Sequence, residues 1–133
     1  MRRLAPALLA LAAAAPGAAE PVTPEAFEAM SEGRTLHFFR DGAPFGDEQF
    51  FTGRRSLWRF ADGTCEPGRW AAEGEQICFV YDSDPAPICW LFRSDGPRFL
   101  AELADESEAA GFTLELDRIV PEPLPCPAPD LGS

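Results

Sequence analysis

The stretch WRFADGTCEPGRWAAEGEQICFVYDSDPAPICWLF, Trp58 to Phe92, decides how this chain folds. It holds three of the four cysteines, all three tryptophans and the single tyrosine. Runs of aromatic and β-branched residues alternate in it with turn residues, the pattern of short strands in an antiparallel sheet. It specifies a fold far more sharply than a reaction.

The hairpin inside this stretch also decides the cysteine pairing. With Asp82-Ser83-Asp84-Pro85 as a four-residue loop, Tyr81 faces Ala86, Phe79 faces Ile88 and Cys78 faces Cys89. Ile77, Phe79, Tyr81, Ile88, Trp90 and Phe92 then share one apolar face, because side chains alternate along a strand. A rival Cys65–Cys78 bond needs a turn near Ala71-Ala72, whereas the better turn residues, Glu73-Gly74, come later. The predicted bonds are therefore Cys78–Cys89 and Cys65–Cys126.

Outward from this core the same grammar repeats. Strands are read at residues 35–40, 45–51, 56–60, 65–71, 76–81, 88–93, 98–103 and 113–120. Asp-Gly follows a related phrase three times, HFFRDG, WRFADG and WLFRSDG, and Asp-Gly between apolar runs is a hairpin signal. The weak repeat describes a meander of hairpins. Ahead of it, Thr23 can cap a helix whose first residue is Pro24, with Phe27 and Met30 on one side and Gly33 as the stop. A short helix over residues 24–32 is expected to plug the sheet. Residues 105–111 read as a loop or one helical turn. The tail from 121 to 133 has proline at every second position from 121 to 129, so it should lie extended, stapled back through Cys126. The fold class is mainly β: a small antiparallel barrel or rolled meander sheet of about seven to eight strands, with one N-terminal helix and two disulfides. A two-sheet sandwich is the alternative.

The first nineteen residues, MRRLAPALLALAAAAPGAA, have a charged start, a short apolar run and small residues at the end. That is the plan of a secretory signal peptide, and the apolar run is too short to span a bilayer. Cleavage is expected after Ala19, leaving one β-rich domain over 20–120 and the proline-rich tail. Arg2 and Arg3 leave with the leader, so nine arginines face 22 acidic residues in a chain without lysine, a net charge near −13. Such a charge disfavours nucleic acid and anionic membranes. Four cysteines without a C-x-x-C pair, and a single histidine, favour disulfides in an exported protein over a zinc site.

Chemistry is harder to find. His37 sits on a strand beside Phe38 and Phe39, where a hydrogen-bonded structural histidine outweighs a general base. No serine stands in a nucleophile-elbow context, and no phosphate-loop or dinucleotide glycine pattern occurs. The acidic runs at 82–84 and 105–108 do not match a calcium loop and read as solvated turns. Acids for sugar hydrolysis abound, yet nothing singles out two of them. No catalytic residue, cofactor or metal is assigned. Arg54, Arg55, Arg59 and Arg69 form one local basic cluster around Trp58 and Trp70, most simply paired internally with the many acids. The candidate binding surface consists of Trp58, Trp70, Trp90, Arg54, Arg55 and His37, and a barrel of this size can also hold one small apolar ligand.

The phrases FADGTCEPGRW (Phe60–Trp70), ICFVY (Ile77–Tyr81) and CWLF (Cys89–Phe92) resemble small exported proteins of alphaproteobacteria that have no assigned activity. The likeness runs from about Thr35 to Leu103 and implies a periplasmic location; it transfers no functional residue, and the tail with Cys126 lies outside it. The expectation is a non-enzymatic periplasmic or secreted binding module, with a protein partner placed slightly ahead of a small apolar ligand. A small hydrolase using acidic residues and His37, or a structural envelope component, is the alternative.

Overall fold

The protein is described by a computed structural model covering residues 2–10, 20–104 and 111–127. Residues 2–10 form neither helix nor strand, and Leu4, Leu8 and Leu9 are exposed. Residues 1 and 11–19, where the expected leader and its cleavage point fall, residues 105–110 of the acidic segment and the last six residues of the tail lie outside the described residues. Among the described residues no helix is long and apolar enough to cross a membrane.

Short strands of alternating character and tight turns build one closed antiparallel barrel. After a two-residue strand β1 (Glu20–Pro21) comes helix α1 (Pro24–Ser31). Eight strands follow: β2 (Thr35–Arg40), β3 (Ala43–Phe50), β4 (Arg55–Phe60), β5 (Cys65–Glu73), β6 (Gln76–Tyr81), β7 (Asp84–Asp95), β8 (Arg98–Leu103) and β9 (Thr113–Val120). Each pairs with the next, and β9 returns to β2, closing the ring. Closure leaves no long unpaired edge for another chain to extend. β1 adds to β7 at Arg93 and Ser94, beyond Trp90 where the pairing with β6 stops. Strand β1 had no signal in the sequence, because two residues carry no periodicity.

Both predicted disulfides form, Cys65–Cys126 and Cys78–Cys89. Phe79 opposes Ile88 and Cys78 opposes Cys89, as the hairpin reading requires. The turn itself is tighter than the four-residue loop: Tyr81 pairs with Asp84, not Ala86, and a register shift between Phe79 and Tyr81 absorbs the difference. Asp84 and Pro85 therefore belong to β7. Likewise β5 runs to Glu73, so that hairpin turns at Gly74-Glu75.

Helix α1 closes one end of the barrel. Thr23 accepts a hydrogen bond from the Ala26 amide at 3.2 Å and Pro24 occupies the first turn, as an N-terminus of this type requires. Phe27 is fully buried, with its ring 4.6 Å from Phe92, 5.2 Å from Trp70 and 5.4 Å from Phe50. Met30 packs only partly against the same cluster. Glu28 pairs with Arg54 at 3.2 Å and fastens the helix to the turn between β3 and β4.

The tail crosses the outer wall as a strap. The Thr35 hydroxyl donates to the Glu122 carbonyl at 2.8 Å, the Leu124 amide donates to Gln49 at 2.9 Å, and Cys126 reaches Cys65 on β5. Leu57, opposite Gln49, faces away from the lumen by strand alternation, yet it is buried, as is Leu124. The strap passing over this position accounts for both.

Candidate functional site

With α1 filling one end, the other end of the barrel holds a cavity of about 400 Å³. Its inner part is walled by Phe38, Phe50, Phe79, Phe92 and Leu114, and its outer part by Phe45, Phe60, Ile88, Leu103 and Phe112. Phe60 and Ile88 are the most exposed of these, each at 42%, and mark the mouth. The mouth lies where β4, β6 and β8 end and where β3, β7 and β9 begin. A space of this size and aromatic character is what a small-molecule site requires.

Three polar side chains interrupt the apolar wall: Glu48, Glu66 and Tyr81. Strand register explains why they meet. On β3, β4 and β5 the residues Glu48, Trp58 and Glu66 are direct cross-strand partners, so the three side chains stand abreast on the inner face. Tyr81 enters from β6 opposite Gly68, and its hydroxyl donates to the Glu48 carboxyl at 3.1–3.2 Å. Glu66 is partly exposed and accepts hydrogen bonds from the Ser83 amide and hydroxyl.

Glycines make room for these rings. A Cβ on Gly46 would fall 2.2 Å from the Trp58 indole, and one on Gly68 would fall 2.7 Å from the Tyr81 ring. Both contacts are impossible for a real side chain, so the two strands carry hydrogen at the positions where the aromatic rings lie against the backbone.

Glu48 is only 2% exposed. Burial disfavours its charged form and pushes its pKa up to about 8, helped by the negative charge of Glu66; the hydroxyls of Ser56 and Tyr81 act in the opposite sense. The Tyr81 hydroxyl is raised well above its ordinary value, by burial first and then by the Glu48 charge. Near neutral pH Glu48 is therefore largely a neutral carboxyl, able both to donate and to accept a hydrogen bond.

The residues singled out from the sequence do not form one surface. Trp58 and Trp90 line the cavity. Trp70 belongs to the plugged end, buried against Phe27 with the Arg54 guanidinium 4.5 Å above its ring. Arg55 is exposed on the outer wall opposite Arg69, so strand alternation separates these two arginines from Trp58 and Trp70. His37 Nδ1 lies 2.6 Å from Asp47 Oδ1 on the neighbouring strand; neither residue lines the cavity. Glu73, Cys78 and Cys89 lie close enough to share an ion, but both sulfurs are in the disulfide and offer no thiolate.

Sequence reasoning missed Glu48 and Glu66. In PFGDEQFF, phenylalanines occupy both strand faces, so alternation alone does not say whether Glu48 or Asp47 points inward. Glu66 was accessible in principle, since strand alternation puts it on the same face as Gly68 and Trp70.

No protein-family model, no curated protein and no solved structure matches this chain.

Proposed function

We propose that this protein is an exported, non-enzymatic binding module whose barrel interior holds a small, largely apolar ligand. One observation carries the reading: a cavity of about 400 Å³, open at one end, whose wall is apolar and mostly aromatic apart from the polar groups of Glu48, Glu66 and Tyr81. Two disulfides suit an oxidising compartment outside the cytoplasm. The signal-like leader and the resemblance to exported alphaproteobacterial proteins favour the periplasm. A protein partner, slightly ahead on sequence alone, loses ground because the tryptophans of the expected surface either line the cavity or sit in the core. It keeps one point of support in the exposed Phe60 and Ile88 at the mouth. The hydrolase reading needs His37 in a cleft, and the His37–Asp47 pair stands on the outer wall.

Native mass spectrometry of protein isolated from its own cell envelope tests this directly. Extra mass of roughly a few hundred daltons, lost on unfolding, is expected for a cavity of this size. Bare polypeptide, together with failure of apolar probes to bind, overturns the reading and moves the search to crosslinked protein partners.

A further inference from the structure

We infer that the ligand carries a cationic head group, an amine or quaternary ammonium, seated on the Trp58 indole between Glu48 and Glu66, an inference that rests on the ligand-binding reading above. The register places that indole between two carboxyls, as direct neighbours on three adjacent strands. An aromatic face flanked by carboxyl oxygens matches a cation twice over: the ring quadrupole attracts positive charge, and so does the Glu66 carboxylate, while a cation seated there also favours the ionised form of Glu48. Tyr81 adds a third acceptor and a second electron-rich face beside Glu48.

The wall offers nothing of the opposite kind. Among the described residues no lysine, arginine or histidine lines the cavity, so an anionic head such as a carboxylate would meet the Glu66 charge and no counter-charge. One described cation at the mouth, Arg40, lies outside the lining with its guanidinium 3.7 Å over the Phe112 ring and 3.9 Å from Asp41. One ring of the wall thus already engages a positive charge. A neutral alcohol would find hydrogen bonds at Glu48 but would gain nothing from the charge of Glu66 or the ring faces. The apolar remainder of the cavity suits an apolar body attached to the head.

Three probes with one chain and different heads separate the possibilities: octyltrimethylammonium, octanol and octanoate, titrated calorimetrically into the purified protein. Octyltrimethylammonium is expected to bind about tenfold or more tighter than octanol, the scale of one charge-assisted contact, with octanoate weakest. In the double variant E48Q/E66Q this preference should fall below about threefold. The single variant E66Q, at a partly exposed position, should reduce it without risk to folding, which circular dichroism checks. Equal or tighter binding of octanol or octanoate overturns the cationic head while leaving the apolar-ligand reading in place. A preference that survives both variants overturns the placement between the two acids. If none of the three binds, the ligand-binding reading falls and takes this inference with it.

Discussion

The Tyr81 hydroxyl and the Glu48 carboxyl meet inside the barrel, 3.1 Å apart, with Tyr81 as donor. Replacing Tyr81 by Phe removes the donor and leaves a buried carboxyl with one partner fewer. A loss of about 1–3 kcal/mol in urea unfolding is expected, the usual cost of such a vacancy. An unchanged midpoint would mean that Glu48 is satisfied by other means.

Glu48 also sets the direction of the pH dependence. Its native pKa, about 8, stands above the ordinary value of 4.5. Between those values the folded protein holds a proton that the unfolded chain has released, so stability falls as pH rises from about 5 to 8. For one such proton the slope approaches about 1.4 kcal/mol per pH unit. Carboxylates with lowered pKa, such as Asp62, lose their contribution only below this window and act in the opposite direction. Denaturation at pH 5, 6, 7 and 8 should show the decline in wild type and a much flatter profile in Glu48→Gln. Equal slopes in both would refute the assignment.

Gly46 is expected to tolerate no side chain. Gly46→Ala places a methyl against the Trp58 indole, which must swing toward the cavity or push the strand outward. Overpacking of this kind costs about 1–3 kcal/mol. A changed near-ultraviolet tryptophan signal and weaker binding of any apolar probe should accompany the loss.

The two disulfides should differ in weight. Cys65 and Cys126 are 61 residues apart, Cys78 and Cys89 only 11. In the chain-entropy model the long loop contributes about 4 kcal/mol and the short one about 3. The Cys65→Ser/Cys126→Ser variant should also free the strap from the outer wall and uncover Leu57. Limited proteolysis should then cut first near residues 121–127 in that variant, and not in Cys78→Ser/Cys89→Ser.

The plugged end depends on one side chain. Phe27→Ala empties a fully buried position ringed by Phe50, Trp70 and Phe92, for an expected loss of about 3–5 kcal/mol. If the variant unfolds outright, Phe27→Leu provides the graded measurement.

Local sequence chemistry accounts for most of the architecture. The run from Thr23 to Ser31 had its cap, its first-turn proline and its Phe27 stripe, and these specify a helix without any neighbour. The alternation in Ile77–Tyr81 and Ile88–Phe92 specified both the apolar face and the Cys78–Cys89 bond, since strand period and turn position are short-range properties. Cys65–Cys126 followed by exclusion from the four cysteines present. What the sequence by itself determined, then, was the set of strands, the helix and the covalent staples.

Barrel closure, the strap over Leu57 and the union of Glu48, Trp58, Glu66 and Tyr81 were decided only by tertiary structure. β9 returns to β2 across most of the chain, a pairing with no local signal, because Thr35 and Val120 share nothing but register. Asp47 and Glu48 were equivalent on paper. The bulge at Phe38 and the pairing of β3 with β4 turn Glu48 inward beside Trp58 and leave Asp47 outside with His37. A one-residue change of register exchanges the two faces of a strand, so which acid is buried is a property of the closed barrel.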